Sequence, residues 1–492
     1  MNILIKEIEK LPKFLEYNEC AKNKISPIVV SGLSSVGKIQ LIEATKQYSN
    51  KNICIVTYNE IQARKIIQDL KYFTNNVIFF PKREIAPYDY EAESKDLPYE
   101  RIETLNKIFD QTEKKKSDIA ENKLIIVTTV EAIMQKMISQ EEIYKNVLEF
   151  KTGKTFNLEE LKHTLSNLGY ERAEIVDGKG QFCVRGGIID IGTTKTQGIR
   201  IEFWGDEVDS IRSFSITSQR SNKMLENAKI YPSHELILTK NIEDICKQIE
   251  QNRQEDVSED IEEIKAGNYI NKIDKYFNSF YDKQACFLDY IQNDYLLLLD
   301  DIDKINTRQD NIVKDNFQLA ETLQEKGKTV PDSIKNIEKY NLENTDRQTI
   351  YLYETDLLEN KKNTKFSRNV YNFKYRDMHF FKSELNILTA EIKKALEAKK
   401  KVFVLAGNES GAKKIETLLA QEDIKYKYFE KLDDTKEQIY TNSIQEELEN
   451  KKVIISNGSL SAGFENYDLN MLVVTGEDFI SSEQKRKRAT DS

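Results

Sequence analysis

The most constraining feature of the chain is a short apolar run, Pro27-Ile28-Val29-Val30, that feeds a glycine- and serine-rich loop and then a helical stretch from Lys38 to Tyr48. The loop reads Gly32-Leu-Ser-Ser-Val-Gly37-Lys38-Ile39, which fits G-x-x-x-x-G-K and fails at the final Ser/Thr. A strand, a tight turn and a helix N-terminus in that order make a phosphate-binding loop. Its backbone N–H groups and helix dipole face an anion, with Lys38 in reach of it. Ile39 carries no oxygen, so the hydroxyl that holds Mg²⁺ in working loops is missing.

The surrounding sequence continues the strand–helix alternation. Ile53–Thr57, Val77–Phe80 and Leu124–Thr129 are buried-strand candidates. Asn59 is placed to cap a helix running to about Phe73, with Ile61, Ile66, Ile67 and Leu70 as its apolar positions. Val130–Met137 reads as another helix. Such alternation implies a parallel sheet covered on both faces. Tyr295–Leu299 is a further apolar strand ending in Asp300-Asp301. Asp300 stands where a P-loop ATPase delivers its metal-binding carboxylate. Asp301 stands where helicase-type enzymes usually have a Glu, one methylene longer, and an error of about 1 Å costs ~10²-fold in rate. The other reading is that Asp300 and Asp301 only cap the following helix.

Between about 147 and 225 the apolar period changes from 3.6 to two. Phe182–Arg185, Ile188–Ile191 and Ile201–Trp204 read as strands separated by glycine turns, with Leu158–Leu168 the one clear helix. Residues 228–345 return to helix, with an acidic Gln254–Ile264 stretch read as a solvated loop or helix face. Residues 346–365 are polar and lysine-rich, a linker in composition. From 366 a second α/β pattern begins, with strands at Lys401–Leu405, Lys452–Ser456 and Met471–Thr475. At ~150 residues per domain, 492 residues correspond to about three domains.

The balance of 73 Lys+Arg against 82 Asp+Glu gives a net charge of −9, which disfavours autonomous, non-specific DNA binding. The β-rich stretch from Val147 to Ser221 holds 10 basic and 11 acidic residues, so it is no general phosphate-binding surface. Its Arg172 and Arg185 suit either a protein interface or internal ion pairs to Glu171, Glu174 or Asp190. Tyr88, Tyr90 and Tyr99 lie among Lys82, Arg83 and Arg101, a pattern that stacks unpaired bases. Six interleaved carboxylates would repel phosphate, and packed tyrosines are the favoured reading. Five scattered cysteines and three histidines leave no metal-ligand spacing and no disulfide framework. The charged N-terminus is no secretory signal, and no apolar run approaches membrane-spanning length. A cytoplasmic monomer is expected.

The order of these parts resembles the amino-terminal half of the bacterial transcription-repair coupling factor (Mfd) family, the half similar to the excision-repair protein UvrB. The resemblance spans about residues 10–480, more weakly in the last third. It is carried by Ser31-Gly32-Leu33…Gly37-Lys38, by Val127–Ala132, and by Cys286–Tyr290 ahead of Leu296–Asp301. Most specific are Gly180–Ile191, Ile201–Arg212 and Ser218-Gln219-Arg220.

The resemblance implies a multi-domain α/β fold. A UvrB-like domain with a degenerate P-loop takes 1–146, a UvrA-binding β insert 147–227, and the rest of the UvrB-like domain 228–345. A linker at 346–365, a further α/β domain at 366–480 and a basic end at 481–492 follow. It implies UvrA contacts at Arg172 and Arg185, with a third arginine of the UvrB pattern replaced by Cys183. UvrB's damage-holding aromatic hairpin does not fit within Pro87–Arg101. Gly32, Gly37, Lys38, Asp300 and Asp301 become a vestigial nucleotide site, with no catalytic residue, no metal, no required cofactor and weak or no ATP binding. RNA polymerase and double-stranded DNA would be engaged by a translocase part missing from what reads as a fragment. The rival expectation is a working P-loop NTPase of a UvrB-type repair protein that uses Lys38 and Asp300.

Overall fold

The computed structural model describes residues 1–84, 97–113, 123–253, 255–267, 269–335, 337–355, 369–378, 385–433 and 438–476. Its largest element is a seven-stranded sheet, in the spatial order Val370–Asn372, Ile28–Ser31, Thr349–Leu352, Leu296–Asp300, Ile53–Thr57, Ile125–Thr129 and Val77–Phe80. Every neighbouring pair is parallel. All four residues of Ile28–Ser31 and all five of Ile53–Thr57 are buried, as a sheet covered on both faces requires. The sheet is built from both sides of the β insert, so 1–146 and 228–345 supply one domain.

Two sequence expectations need correction here. The polar stretch 346–365 is not wholly a linker. Its Thr349–Leu352 is fully buried and lies between Ile28–Ser31 and Leu296–Asp300. Only four residues long and flanked by polar sequence, it has the composition of a loop, and its pairing supplies what composition hides. Gln348 fixes its entry by donating to the carbonyls of Cys20, Ala21 and Ile25 at 3.2, 3.0 and 3.0 Å. The boundary at 366 also moves, because Val370–Asn372 extends the first sheet while Tyr375–Met378 opens the next one. Residues 356–365 and 481–492, Tyr88, Tyr90 and the Lys485–Arg488 run lie outside the described residues.

The Glu60–Phe73 helix starts at Asn59, whose side chain accepts from Gln62 N at 2.8 Å. Ala63, Ile66, Ile67 and Leu70 face the core, but Ile61 is 83% exposed. Five residues at about 100° each set Ile61 roughly 140° away from Ile66, off the apolar stripe. The helix after Thr129 ends at Met134, and Met137-Ile138 pairs instead with Gln284-Ala285. In the acidic stretch, Ser258–Lys265 is a helix that buries Ile261, Ile264 and Asp260.

The insert hangs on a two-stranded stem, Leu148–Lys151 against Asn227–Ile230. Its six-stranded sheet packs Phe182, Ile189, Ile191, Ile201 and Ile211 against Leu161 and Leu165 of the Leu158–Asn167 helix. The third unit is a six-stranded mixed sheet around Lys401–Leu405. It shares a continuous apolar core with the first sheet, joining Ile28, Val30 and Ile55 to Phe403, Leu405, Ile454 and Val473. Buried Asp69 adds a polar tie, accepting from Ser461 N and Oγ at 2.6 and 2.7 Å.

Candidate functional site

The expected nucleotide residues come together at the carboxyl edge of the parallel sheet, the usual ligand side of such folds. Lys38, only 2% exposed, places Nζ 2.7 Å from Asp300 Oδ1 and 3.0 Å from Glu354 Oε1. Burial alone would lower the Lys38 pKa, but the Asp300 and Glu354 carboxylates outweigh it and hold the ammonium above its ordinary value. The second oxygen of Asp300 accepts from Thr57 Oγ1 at 3.0 Å and Gln62 Nε2 at 3.2 Å. Asp301 turns the other way. It adopts φ +65, caps the Ile302–Glu325 helix by accepting from Lys304 N, and pairs with Lys304 Nζ at 2.9 Å. The capping reading thus holds for Asp301, whereas Asp300 is the partner of Lys38.

A nucleotide with Mg²⁺ does not fit this donor set. Ile39 is buried in the core, and both Lys38 and Asp300 are engaged with protein groups. No cluster of three or more His, Cys, Asp or Glu side chains suited to a metal occurs among the described residues. The basic residues of the tyrosine-rich segment are equally committed. Arg101 is buried, donates to Glu235 at 2.8 and 2.9 Å, and stacks over Phe80. Arg83 contacts the same Glu235 and Asp274. Tyr99 packs on Gly180 of the insert, and Lys179 donates to its carbonyl at 3.1 Å. Arg83 and Arg101 are thus tied up within the first domain, while Tyr99 with Lys179 and Gly180 joins the insert to it.

The insert is built the opposite way. Arg172 is exposed on the short Glu171-Arg172 strand and makes no hydrogen bond or ion pair among the described residues. Arg185 is 50% exposed at the end of the Gln181–Arg185 strand and donates through Nη2 to Asp190 Oδ2 at 2.6 Å. That single bond leaves most of its five N–H donors unused by Asp190. The sheet brings a second arginine onto the same carboxylate. Arg200 binds both Asp190 oxygens, at 2.7 and 2.9 Å, while its guanidinium lies 5.0 Å from the Phe214 ring centre. The Asp190 hydrogen bond holds Arg200 above its ordinary pKa.

Register then aligns Cys183, Asp190, Arg200, Arg212 and Met224 across five strands. Cys183 is buried, and burial pushes its thiol pKa up, so it offers a partner neither charge nor surface. Trp204, two alternations beyond Arg200 on the Gln197–Trp204 strand, is 85% exposed. Arg200, Arg212, Met224 and Trp204 are functional candidates that the sequence reading passed over. The alternation Arg200-Ile-Glu-Phe-Trp204 carried the information, since the intervening Ile201 and Phe203 fill the core.

The same region stands out in comparison with known proteins. Residues 148–236 match the UvrB interaction domain family. Across the whole chain, the transcription-repair-coupling factor of Bacillus subtilis is 27% identical over 480 residues, covering 93% of this chain and 39% of that relative. Those of Staphylococcus aureus (strain MRSA252) and Staphylococcus haemolyticus are each 23% identical, over 94% of this chain and 39% of theirs. The chain therefore spans about two-fifths of the length of these relatives. No helix among the described residues is long and apolar enough to cross a membrane. Residues 148–236 are thus similar to the UvrB interaction domain family, and nearly the whole chain is similar to about two-fifths of the transcription-repair-coupling factors of these bacteria.

Proposed function

We propose that this chain is the recruitment module of a transcription-repair coupling factor, and that its β insert docks UvrA at RNA polymerase stalled on damaged DNA. The observation that carries this reading is the exposure of both Arg172 and Arg185 within the matched interaction domain. Arginine and tryptophan on a rigid sheet suit an interface whose energy is concentrated in a few anchors. Contacts to RNA polymerase and double-stranded DNA, and the ATP-driven motor, belong to parts of the coupling factor beyond these 492 residues. The module works in the cytoplasm as a monomer and needs no cofactor.

Reversing Arg172 and Arg185 together to Glu abolishes UvrA capture by the purified chain while the circular dichroism spectrum stays native. Undiminished capture refutes the site assignment. The module itself does not turn over ATP, because Lys38 is neutralised by Asp300 and Glu354 and no hydroxyl stands at position 39. Phosphate release at a helicase-like rate, lost in Lys38→Ala, would establish the rival NTPase reading.

A further inference from the structure

The loop from Gly32 to Lys38 keeps the spacing of a phosphate cradle although the residues around it do not accommodate nucleotide and metal. Most of its backbone donors are already taken. Gly32 N donates to Thr355 O at 3.3 Å, Leu33 N to Tyr353 O at 3.2 Å, and Gly37 N to Ser34 Oγ at 2.9 Å. Ser35 N and Val36 N both point at one carboxylate, that of Asp377. The distances are 2.9 Å to Oδ2 and 3.2 Å to Oδ1, and Ser35 Oγ adds a third bond of 2.6 Å to Oδ2. Lys65 Nζ lies 3.3 Å from Ser35 Oγ, placing a cation beside the cluster.

Asp377 arrives on the strap that joins the first sheet to the third unit. Within it, Phe373 N donates to Ser31 O at 2.9 Å and Tyr375 N to Gly32 O at 3.0 Å. Tyr375 OH donates to Gln40 Oε1 of the helix behind the loop at 2.8 Å. Both loop glycines are explained by this strap. Gly32 sits at φ +71, and a Cβ there would fall 1.9 Å from Phe373 O. A Cβ on Gly37 would fall 2.2 Å from the Tyr375 ring. In a nucleotide-binding loop, glycines admit the close approach of phosphate; here they admit residues 373–377.

We propose that the former phosphate loop is an intramolecular docking site, in which the Asp377 carboxylate takes the place of a phosphate and latches the third α/β unit onto the first sheet. The loop has been kept because it holds two units together. An anion at Ser35 and Val36 is required for that, whether a side chain or a free ion supplies it.

Hydrogen–deuterium exchange on the full chain tests this at the Ser35 and Val36 amides. In Asp377→Ala both amides lose protection by about tenfold or more, while the rest of the Gly37–Ser49 helix keeps its own. Sulfate at tens of millimolar restores that protection relative to chloride at matched ionic strength, and has no effect on the wild-type chain. Asp377→Asn, which keeps the volume and loses the charge, falls between the two and carries the same reading should the alanine variant not fold. Unchanged protection in Asp377→Ala, an Asn variant indistinguishable from wild type, or no response to sulfate overturns the latch. UvrA capture is unchanged in both variants, so failure of the latch and failure of the recruitment reading register in different assays.

Discussion

The nucleotide loop and the β insert have handled charge in opposite ways. At the loop, Lys38, Asp300, Glu354 and Asp377 spend their hydrogen-bonding capacity on partners inside the chain. On the insert, Arg172 makes no hydrogen bond or ion pair among the described residues and Arg185 makes one ion pair at half exposure. A buried charge is costly unless paired, so the loop's ions act as structure. An exposed arginine on a rigid strand costs little in the free protein and retains its donors for another molecule. The difference teaches that a motif's spacing can stand where its charged groups are paired within the chain, whereas the exposed arginines of the insert keep donors unspent.

The largest expected effect lies at the loop. Lys38→Ala leaves Asp300 buried and without its cation, and costs about 3–5 kcal/mol of stability in denaturant titration. Adding Asp300→Asn recovers much of that loss, because no unpaired charge remains. A Lys38→Ala protein as stable as wild type would break the contrast.

The junction between the two regions supplies a pH test. His234 is buried against Gly169, neither ring nitrogen has a hydrogen-bond partner among the described residues, and burial lowers its pKa from 6.5 to about 4. A folded value below the unfolded one means that the unfolded state binds the proton more readily. Stability is therefore intact above about pH 6.5 and falls progressively toward pH 4, by about 3 kcal/mol from this group. His234→Gln flattens the profile over that window. A profile unchanged by the substitution would remove His234 as its cause.

Arg185→Ala should weaken UvrA binding by about 2 kcal/mol in a titration, as loss of an interface anchor does. Its effect on stability is smaller, since Arg200 still holds both Asp190 oxygens. Smallest of all is Arg172→Ala on stability, within about 0.5 kcal/mol by thermal melting, because the side chain is exposed and unpaired. A larger loss would place Arg172 in the structural class with Lys38.

Much of this was legible in the chain itself. The strands at Ile28–Ser31, Ile53–Thr57 and Leu296–Asp300 are apolar runs long enough to declare themselves, and the switch to period two marked the insert. Thr349–Leu352 was not legible, because four residues between polar flanks carry too little pattern. Arg83 and Arg101 had the look of a nucleic-acid segment, and only the arrival of Glu235 from more than a hundred residues away turned them into buried pairs.

Local pattern thus determined the α/β scaffold, the insert and the loss of the metal-binding hydroxyl at Ile39, since each is written in neighbouring residues. Tertiary structure decided what the surviving groups do. Asp377 reaches Ser35 across 342 positions, and the row from Cys183 to Met224 exists only once five strands are in register. No periodicity encodes such meetings: they follow from the packing of whole units, which brings a carboxylate to one set of amides and leaves another set of arginines facing water.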